Sequence, residues 1–446
     1  MTMTTRIASR LFLLCLCLIM LSACAGKQRG GVTGDSSIAD ERNFPQDLLF
    51  YAKQAGPDKR LMDATDQALM DAKFNARFFS PWDLSKTTLR KKEVGVIFKK
   101  ARGYRRGSER WTQADWAAIA ANANMATFPN NAQPAITVRY TDLREMPTHE
   151  ARFSKPTPDP KAYPFDDTQY SLLPVGTPLF IAHTSRDGRW YFVESAAAGG
   201  WVDAKDVALV DSGFAREWRT SAQAALVQDN VPLAGTDVTA NVGTILPLTE
   251  QDGTSVAMKV PFKGADGWAT AVTASVPAAA AVQKPLPLTP GNVARVGNVM
   301  MGQHYGWGGM FGLRDCSALT REIMTPFGVW LPRNSRGQGR TGILHPLEGM
   351  DAAGKDAMVL REGVPFLSLV TMRGHVTMYV GQYKNRPAIF HNVWGVRVYD
   401  GNNDNGRHVI GKAVVTSLTP GAELPNLYRT TTFVDRLHTL STPAVQ

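Results

Sequence analysis

A repeat with a fixed spacing places the strongest limit on how the middle of this chain can fold. Residues 175–179 (VGTPL) recur as 242–246 (VGTIL), and 199–202 (GGWV) recur as 266–269 (DGWA). Both recurrences have the same offset of 67 residues, from 175 to 242 and from 199 to 266. Two matches at one shared offset indicate a duplicated unit. Apolar and polar residues alternate from about Ala135, so each copy is expected to be a small β structure.

A hairpin signal lies inside the first copy of the repeat. Asp187 and Gly188 stand between two apolar runs, and the run 189–193 (RWYFV) follows them, which is typical of a tight β turn. The order of strand, hairpin and Gly-Trp-Val resembles bacterial SH3 domains. By this resemblance we predict SH3-like barrels over 130–215 and 216–280, with an unrelated all-β sandwich as the alternative.

The N-terminus predicts export. Arg6 and Arg10 precede an almost wholly apolar run over 11–21, which is too short to span a membrane. The ending of this run, LSAC, resembles a bacterial lipobox. That resemblance implies that residues 1–23 are a signal peptide and that Cys24 carries a lipid anchoring the protein to a membrane. A plain signal peptide cut nearby is the alternative.

The rest of the chain divides into a tether, a helical region, the barrels and a final domain. Residues 24–43 are polar and contain several glycines, which is typical of a flexible tether. Mixed patterning with helical spacing predicts a mainly helical region over 44–129. Residues 275–292 are rich in Ala and Pro and are expected to form a linker. The final domain is predicted over 281–435.

Charge and sorting signals narrow the partners and the location. The chain has a formal net charge of +10, which favours anionic partners such as nucleic acid, anionic lipid or cell wall. Export argues against nucleic acid. Residues 86–110 contain ten Lys or Arg and two Glu, and they predict either a solvated basic face or a contact with anionic wall or lipid headgroups. Ala25 is not an aspartate retention signal, which by analogy with lipoprotein sorting predicts the periplasm-facing outer membrane, if the cell has one.

The cysteine count singles out one thiol. The chain has four cysteines, at positions 15, 17, 24 and 316. The first two leave with the predicted signal peptide and Cys24 would carry the lipid. Cys316 would then be the one free thiol of the mature chain, with no disulfide possible. A lone cysteine is commonly inert and buried, but the residues around Cys316 point to chemistry.

Cys316 is predicted to lie in the first turn of a helix. Leu319, Ile323 and Phe327 recur with a spacing of four before a glycine, and Asp315 is a suitable N-cap. A helix N-terminus carries partial positive charge and unpaired N–H groups, which favour thiolate over thiol. A glycine-rich loop directly before this helix would let a substrate approach closely.

Two histidines are candidates for the base that a thiol nucleophile needs. His375 begins an alternating run, HVTMYV, and His391 lies in a second run, AIFHNV. Neighbouring antiparallel strands can place the two rings side by side. Cys316 would then attack, His375 would carry the proton and His391 would orient the His375 ring. The sequence has no HExxH motif and no zinc-ligand spacing, so no metal or other cofactor is expected.

Five ordered motifs resemble the NlpC/P60 family of papain-like cell-wall peptidases. They are Tyr-x-Trp-Gly-Gly, Asp-Cys-Ser, Leu-Pro-Arg-x-Ser, Gly-His-Val and a further His, all within 290–400. The resemblance implies the triad Cys316, His375 and His391, with the Tyr305 hydroxyl helping to bind the oxyanion. It also implies substrate contacts, namely Asp315, Ser317, Arg333 and Ser335 and, as weaker candidates in the first barrel, Tyr140, Asp142 and Glu145.

The predicted fold is therefore a multidomain α+β protein in which a helical region and two SH3-like barrels precede a papain-like NlpC/P60 domain. Family members commonly cut the γ-D-glutamyl–diamino acid bond of peptidoglycan stem peptides, and we predict this activity. By the resemblance, Asp315 holds the free amine of L-Ala, Ser317 holds the D-Glu carboxylate and the first barrel closes the pocket, which favours short fragments over intact wall. The alternatives are a non-catalytic wall-binding lipoprotein, or an amidase, acyltransferase or lipid hydrolase on the same fold.

Overall fold

The computed structural model describes residues 37–99, 102–107, 109–156, 165–401 and 403–444. The predictions of a signal peptide and of a lipid on Cys24, and most of the tether, lie outside the described residues and stay predictions. The helices in the described ranges all fall short of the length and apolar character that crossing a bilayer requires.

Short helices form the N-terminal region, as predicted for 44–129. They are α1 (Ala39–Asn43), α2 (Leu48–Ala55), α3 (Ala64–Phe78), α4 (Lys91–Val94) and α5 (Gln113–Ala123), with 3₁₀ turns at Ser80–Asp83, Ile97–Lys99 and Met125–Thr127. Polar side chains cap several of them, as where Thr112 and Asp115 form a capping box at α5. Leu48 and Tyr51 of α2 are buried in the same apolar core as the final domain, so this region is packed against that domain.

The first β unit is an antiparallel sheet of seven strands in the order β3-β2-β6-β5-β4-β1-β7. The strands are β1 (Gln133–Thr137), β2 (Thr141–Arg144), β3 (Gln169–Leu173), β4 (Pro178–Thr184), β5 (Trp190–Glu194), β6 (Gly199–Asp203) and β7 (Val207–Leu209), with a 3₁₀ turn at Ala204–Asp206. The predicted turn joins β4 to β5, with Gly188 in the left-handed region. Trp201 of the repeated motif is fully buried.

The second β unit follows helix α6 (Ser212–Thr220). Its strands are β8 (Gln223–Leu226), β9 (Val231–Pro232), β10 (Thr239–Ala240), β11 (Ile245–Gln251), β12 (Ser255–Lys263), β13 (Ala269–Pro277) and β14 (Ala281–Gln283). Five of them form a sheet in the order β13-β12-β11-β8-β14, and β9 pairs with β10. The repeat is visible at the backbone, because Gly176 (φ +81°) and Gly243 (φ +93°) make the same left-handed step before β4 and β11.

The prediction of a linker over 275–292 is wrong for most of its length. Strand β13 extends to Pro277, and Ala281–Gln283 pair with β8 as strand β14. Lys284, which is buried, forms an ion pair with Asp71 and lies over the ring of Phe74 at 4.1 Å. Ala280 and Ala281 are buried where the turn after β13 leads into β14, so composition alone misassigned this segment. The final domain accordingly begins at about residue 290 and not at 281.

The final domain is built on an antiparallel sheet in the order β15-β20-β16-β17-β18-β19. The strands are β15 (Ile343–Pro346), β16 (Leu369–Met372), β17 (His375–Tyr383), β18 (Arg386–Asp400), β19 (Asn403–Thr416) and β20 (Leu437–Thr442). The helices are α7 (Pro290–Asn298), α8 (Cys316–Met324), α9 (Ser335–Gln338) and α10 (Ala352–Glu362), with 3₁₀ turns at Trp307–Gly312, Thr325–Phe327 and Val434–Arg436. Because β20 pairs with both β15 and β16, the domain extends beyond the predicted limit of 435.

Candidate active site

Helix α8 begins at Cys316 with Asp315 as its N-cap, as predicted. The Asp315 carboxylate accepts hydrogen bonds from the backbone N–H groups of Ser317 (3.1 Å) and Ala318 (2.8 Å). The helix continues into a 3₁₀ turn and stops at Gly328, whose φ of +74° suits a residue without a Cβ. The sulfur therefore lies at the positive end of the helix dipole.

Burial governs the protonation of the nucleophile and its base. The Cys316 side chain is 5% exposed, and its sulfur accepts a hydrogen bond from the backbone N–H of Val376. Burial, with a further contribution from the Asp315 charge, raises the pKa of the Cys316 thiol to about 12. Burial and the nearby Arg436 charge lower the pKa of His375 to about 3. The helix N-terminus does not overcome this desolvation, so the expectation of a resting thiolate gives way to a neutral thiol beside a neutral imidazole.

A chain of hydrogen bonds fixes the His375 tautomer. The Thr416 hydroxyl donates to the Ser417 carbonyl (2.9 Å) and so accepts from His391 Nε2 (3.0 Å). His391 Nδ1 is then the acceptor for His375 Nε2 at 2.8 Å. This order leaves His375 Nδ1 as the unprotonated nitrogen. The Cys316 sulfur accepts a hydrogen bond from the backbone N–H of Val376. The imidazole with the unprotonated nitrogen therefore belongs to the residue directly before this contact.

The two histidines are held between paired strands and an aromatic ring. His375 begins β17 and His391 lies in the antiparallel partner β18, which confirms the predicted side-by-side placement. The Phe433 ring packs edge-on against both imidazoles, with centroid distances of 5.7 and 5.6 Å. His391 is fully buried, and this burial lowers its pKa well below the ordinary value. The second imidazole is therefore kept neutral and suited to orient the first.

A buried ion pair unites three of the predicted substrate-binding residues. Arg333 donates to both oxygens of Asp315, at 2.8 Å to Oδ2 and 3.2 Å to Oδ1, and to the Ser317 hydroxyl at 3.0 Å. The Ser317 hydroxyl and the Gly308 N–H also donate to Asp315, at 3.0 and 3.1 Å. With the two helix N–H groups, every lone pair of this carboxylate has a donor. Asp315 thus serves the helix cap and Arg333, and a substrate amine would have to displace one of these partners.

The first β unit packs against the loop that precedes the nucleophile. Gly308 and Gly309 have φ values of +61° and +91°. A Cβ on Gly308 would lie 2.6 Å from the Gln169 carbonyl oxygen, and one on Gly309 would lie 2.4 Å from the Leu172 Cβ. Both glycines are therefore required by the close approach to β3. The contact is completed by Arg333, whose Nε donates to a hydroxyl of the same strand at 2.7 Å.

An aromatic cluster joins the same loop to the first β unit. The Phe165 ring lies 6.2 Å from Tyr305, 5.2 Å from Trp307 and 6.2 Å from Trp394. Burial raises the pKa of the Tyr305 hydroxyl, with a further contribution from the charge of Cys316. Tyr305 is therefore a neutral hydrogen-bond donor within electrostatic range of the nucleophile, which suits the predicted oxyanion contact.

The second β unit holds the residue two positions before the nucleophile. The Arg314 guanidinium is 5% exposed and binds both Asp229 oxygens, at 2.6 and 2.7 Å. It also donates to Glu322 on α8, at 2.5 Å. Asn392, which follows His391, donates to the Arg314 carbonyl at 2.9 Å. The nucleophile segment is thus fixed simultaneously by the second β unit, by its own helix and by the histidine strand.

The weaker candidates of the first β unit lie beside the site and have other partners. Asp142 accepts a hydrogen bond from Gln169 Nε2 at 2.7 Å, and Glu145 pairs with an arginine of its own unit at 3.1 Å. The Tyr140 hydroxyl bonds to Thr244 of the second β unit at 2.7 Å. Substrate contact by these three residues stays a prediction.

Three contributors to the site were not predicted from sequence. They are Thr416, the hydroxyl of Ser171 and Gln338, whose Nε2 donates to the Ser317 carbonyl at 2.9 Å. Ser335 is half-buried at the start of α9, three residues before this glutamine, and its contact with substrate stays a prediction. Of these three residues, only Gln338 had a signal in the sequence, namely its spacing of three from Ser335. The contacts of Thr416 depend on strand register, and those of Ser171 depend on domain packing. Among the described residues, no group of three or more His, Cys, Asp or Glu is placed to hold a metal ion.

Models of protein families match three parts of the chain. They are the NLPC_P60 stabilising domain (N-terminal) over 13–128, the SH3 domain of SH3b1 type over 151–203, and the NlpC/P60 family over 302–403. The last match contains Cys316 and both histidines. Residues 302–403 therefore form an NlpC/P60 domain. The predicted fold class is thereby confirmed, and the predicted enzyme class is confirmed as that of a cysteine peptidase or hydrolase. No family model covers the second β unit, so its SH3 character stays a prediction.

One solved NlpC/P60 structure shares the fold of this chain. An NlpC/P60 endopeptidase from Photobacterium damselae subsp. piscicida is 24% identical, with 91% of this chain and 98% of that chain covered at a TM-score of 0.79. An NlpC/P60 family protein from Bacillus cereus is 16% identical, with 70% of this chain and 100% of that chain covered at a TM-score of 0.46. No curated protein matches the chain. The first structure shows that the whole arrangement of helical region, β units and catalytic domain is shared.

Proposed function

We propose that this NlpC/P60 protein hydrolyses the γ-D-glutamyl–diamino acid bond of peptidoglycan stem peptides. The single observation that carries the proposal is the ordered chain from Thr416 through His391 to His375, whose neighbour Val376 donates its backbone N–H to the sulfur of a cysteine at a helix N-terminus. This is the arrangement that a cysteine nucleophile and its base require. An inert copy of the domain would have no need to fix the tautomer of a buried histidine.

The proposed reaction proceeds through an acyl-enzyme. His375 Nδ1 takes the thiol proton as the Cys316 sulfur attacks the γ-carbonyl carbon. The backbone N–H of Cys316 and the Tyr305 hydroxyl donate to the oxyanion. Collapse breaks the C–N bond, His375 returns the proton to the leaving amine and a thioester remains. A water molecule, deprotonated by His375, then hydrolyses the thioester and restores the thiol.

Proton transfer and attack are expected to be concerted in this site. Separate ionisation is unfavourable because the thiol pKa is raised to about 12 and the His375 pKa is lowered to about 3. Movement of the proton from sulfur to His375 creates an ion pair within the buried site, so the net charge of the pair does not change. The positive end of α8 stabilises the sulfur as negative charge develops on it.

The buried ion pair between Asp315 and Arg333 also bears on the length of the substrate. A free L-Ala amine bound by Asp315 would restrict the enzyme to fragments, but the lone pairs of this carboxylate already have donors. We therefore extend the proposal to stem peptides that are still attached to glycan. Comparison of a free with an N-acetylated L-Ala-γ-D-Glu-diaminopimelate peptide tests this, because cleavage of the free form alone would restore the amine clamp.

The test of the activity uses the chain without its predicted leader and anchor, residues 26–446, and its Cys316→Ala variant. Each is incubated with L-Ala-γ-D-Glu-diaminopimelate and with intact sacculi, and products are identified by mass spectrometry. Release of diaminopimelate, or of the corresponding sacculus peptides, by the active chain alone is the expected result. Cleavage at another bond would favour an amidase, and transfer of the acyl group to an added amine would favour an acyltransferase. No reaction would favour a wall-binding protein.

We also propose that the protein is exported and anchored to the envelope by a lipid on Cys24. The support is the basic, apolar and lipobox-like order of residues 1–24. Labelling of cells with a radioactive fatty acid, followed by capture of the wild-type chain and its Cys24→Ser variant, tests the anchor. Label in the wild-type chain alone is expected, and equal absence of label from both would leave a plain signal peptide.

A further inference from the structure

We propose that a basic cleft beside the catalytic site binds carboxylate groups of acidic wall peptides, a proposal that rests on the function proposed above. The cleft has a volume of about 500 Å³ and lies between the N-terminal region and the first β unit. Arg102, Arg110 and Arg152 line it, together with Asp167 and the rings of Tyr104 and Trp111. Arg102 and Arg110 belong to the basic stretch over 86–110, for which the sequence left two interpretations open.

The arginines of the cleft differ in whether a carboxylate of the protein neutralises them. Arg152 pairs with Glu145 at 3.1 Å and with Asp167 at 3.6 Å. Within the described ranges, by contrast, neither Arg102 nor Arg110 has a carboxylate partner. Like charges held in one concavity repel each other, and an anionic ligand relieves that repulsion. The cleft therefore offers a carboxylate two guanidinium groups that have no carboxylate partner among the described residues, and that of Arg110 lies over the Tyr104 ring at 5.4 Å.

Backbone hydrogen bonds hold the segments from which the exposed side chains of Arg102 and Arg110 project into the cleft. Tyr104 and Phe153 exchange backbone hydrogen bonds of 2.9 and 2.8 Å, which join the N-terminal region to the first β unit. The Trp111 N–H donates to the Gly103 carbonyl at 3.1 Å. Gly103 has a φ of +125°, and a Cβ there would lie 2.8 Å from the Cγ of Arg152. The arginines and rings are thus presented on a backbone framework of fixed geometry.

A short segment of chain separates this cleft from the catalytic site. The Arg152 N–H donates to the Asp166 carboxylate at 3.0 Å, and the Asp167 N–H donates to the Arg152 carbonyl at 2.8 Å. On its other side the Asp166 carbonyl accepts from Trp307 Nε1 at 3.0 Å, and Phe165 packs on Trp307. A polymer with several carboxylates can therefore contact both the cleft and the site.

The geometry favours a peptide carboxylate over a membrane surface. A guanidinium binds a carboxylate through two parallel hydrogen bonds, which a concave cleft can direct. A bilayer is broad and flat on this scale, and it would engage the exposed lysines of the stretch as well as the arginines inside the cleft. Lys86 and Lys92 are exposed and lie outside the cleft, so they supply the matched control.

The test measures retention of the otherwise intact 26–446 chain on isolated sacculi, with Cys316→Ala in every protein to prevent hydrolysis. Arg102→Gln/Arg110→Gln is compared with Lys86→Gln/Lys92→Gln, since each pair removes two positive charges from the same stretch. The cleft pair is expected to weaken binding by about tenfold or more, and the control pair to leave it unchanged. Sacculi whose carboxylates have been converted to amides are expected to lose the unmodified chain. Unchanged thermal unfolding of all variants excludes a folding defect.

The other outcomes overturn the proposal in distinct ways. Equal weakening by both pairs would show diffuse charge attraction, and full retention on amidated sacculi would show that carboxylates are not the ligand. Capture by phosphatidylglycerol vesicles with the same loss in the cleft pair, without binding to sacculi, would assign the cleft to lipid. Cleavage of the free tripeptide by the same variants with Cys316 restored is expected to be unchanged. Failure of the unmutated chain to cleave that tripeptide would count against the proposed function, whereas the binding measurements judge the cleft.

Discussion

Removal of the Asp229 charge should destabilise the protein through a buried arginine that lies next to the active site. Asp229 and Arg314 are 7% and 5% exposed at their side chains, and they are joined by two hydrogen bonds of 2.6 and 2.7 Å. The attraction between two unit charges about 4 Å apart is about 4 kcal/mol at an effective dielectric constant of about 20. Loss of one partner from a buried pair costs roughly 3–5 kcal/mol. Glu322 still neutralises Arg314, so we expect Asp229→Asn to lower the free energy of unfolding by about 3 kcal/mol.

Urea unfolding at pH 7 measures this loss, and an exposed pair provides the control. Asp237 and Arg139 are 73% and 49% exposed at 3.4 Å, so Asp237→Asn should change stability by less than about 0.5 kcal/mol. The Asp229 pKa is lowered in spite of burial, because Arg314 hydrogen bonds and charge outweigh it. A lowered carboxyl pKa contributes stability above the unfolded value of about 3.9, and this is lost as pH falls through the folded value. The difference between wild type and Asp229→Asn should therefore shrink below about pH 4. Equal effects of the two substitutions at pH 7 would refute the role of the buried pair.

Three further predictions concern the catalytic groups. Thr416→Val removes the acceptor that orients His391, so kcat for the tripeptide should fall by roughly tenfold with little change in KM. Thr416→Ser keeps a hydroxyl and should retain most of the wild-type kcat. Equal kcat values for Thr416→Val and wild type would contradict the tautomer assignment. Arg333→Lys keeps the positive charge but cannot span Asp315 and Ser317, so the free energy of unfolding measured in urea should fall by roughly 2–4 kcal/mol. Arg336 is exposed, and a fall no greater than that caused by Arg336→Lys would argue against this role of Arg333. Alkylation of Cys316 by iodoacetamide should be slow at pH 7 and accelerate steadily above it, because burial raises the pKa of its thiol; a rate that is already maximal near pH 6 would indicate a resting thiolate instead.

The parts of the site that depend on local sequence were predictable. The spacing of Leu319, Ile323 and Phe327 indicates the helix, and Asp315 marks its start, so the position of Cys316 follows from neighbours in sequence. Motif resemblance supplied the two histidines, and alternation placed them on strands. Their contact also needs the pairing of β17 with β18, and the two-residue turn between Tyr383 and Arg386 makes these strands adjacent.

The parts that depend on distant packing were not predictable. Thr416 meets His391 through the register of β18 and β19, and residues 281–283 became a strand only because β8 leaves an unpaired edge. The ionisation of Cys316 illustrates the same limit in energetic terms. Its helix position favours thiolate, but the burial that opposes this arises from residues far away in sequence. Local patterns therefore identified the candidate reacting groups, and tertiary packing determined their partners and their resting charge.

The burial of Cys316 also bears on how long such an enzyme survives outside the reducing interior of a cell. Oxidants attack the thiolate far faster than the thiol, and they must reach the sulfur to do so. A protonated sulfur that is 5% exposed meets neither condition in the resting state. Cys316 is also the one free cysteine of the described residues, so none of them supplies a second thiol to reverse an oxidation by forming a disulfide. If Cys316 is the nucleophile, as proposed above, the closed site protects from oxidation a thiol that no other described residue can replace.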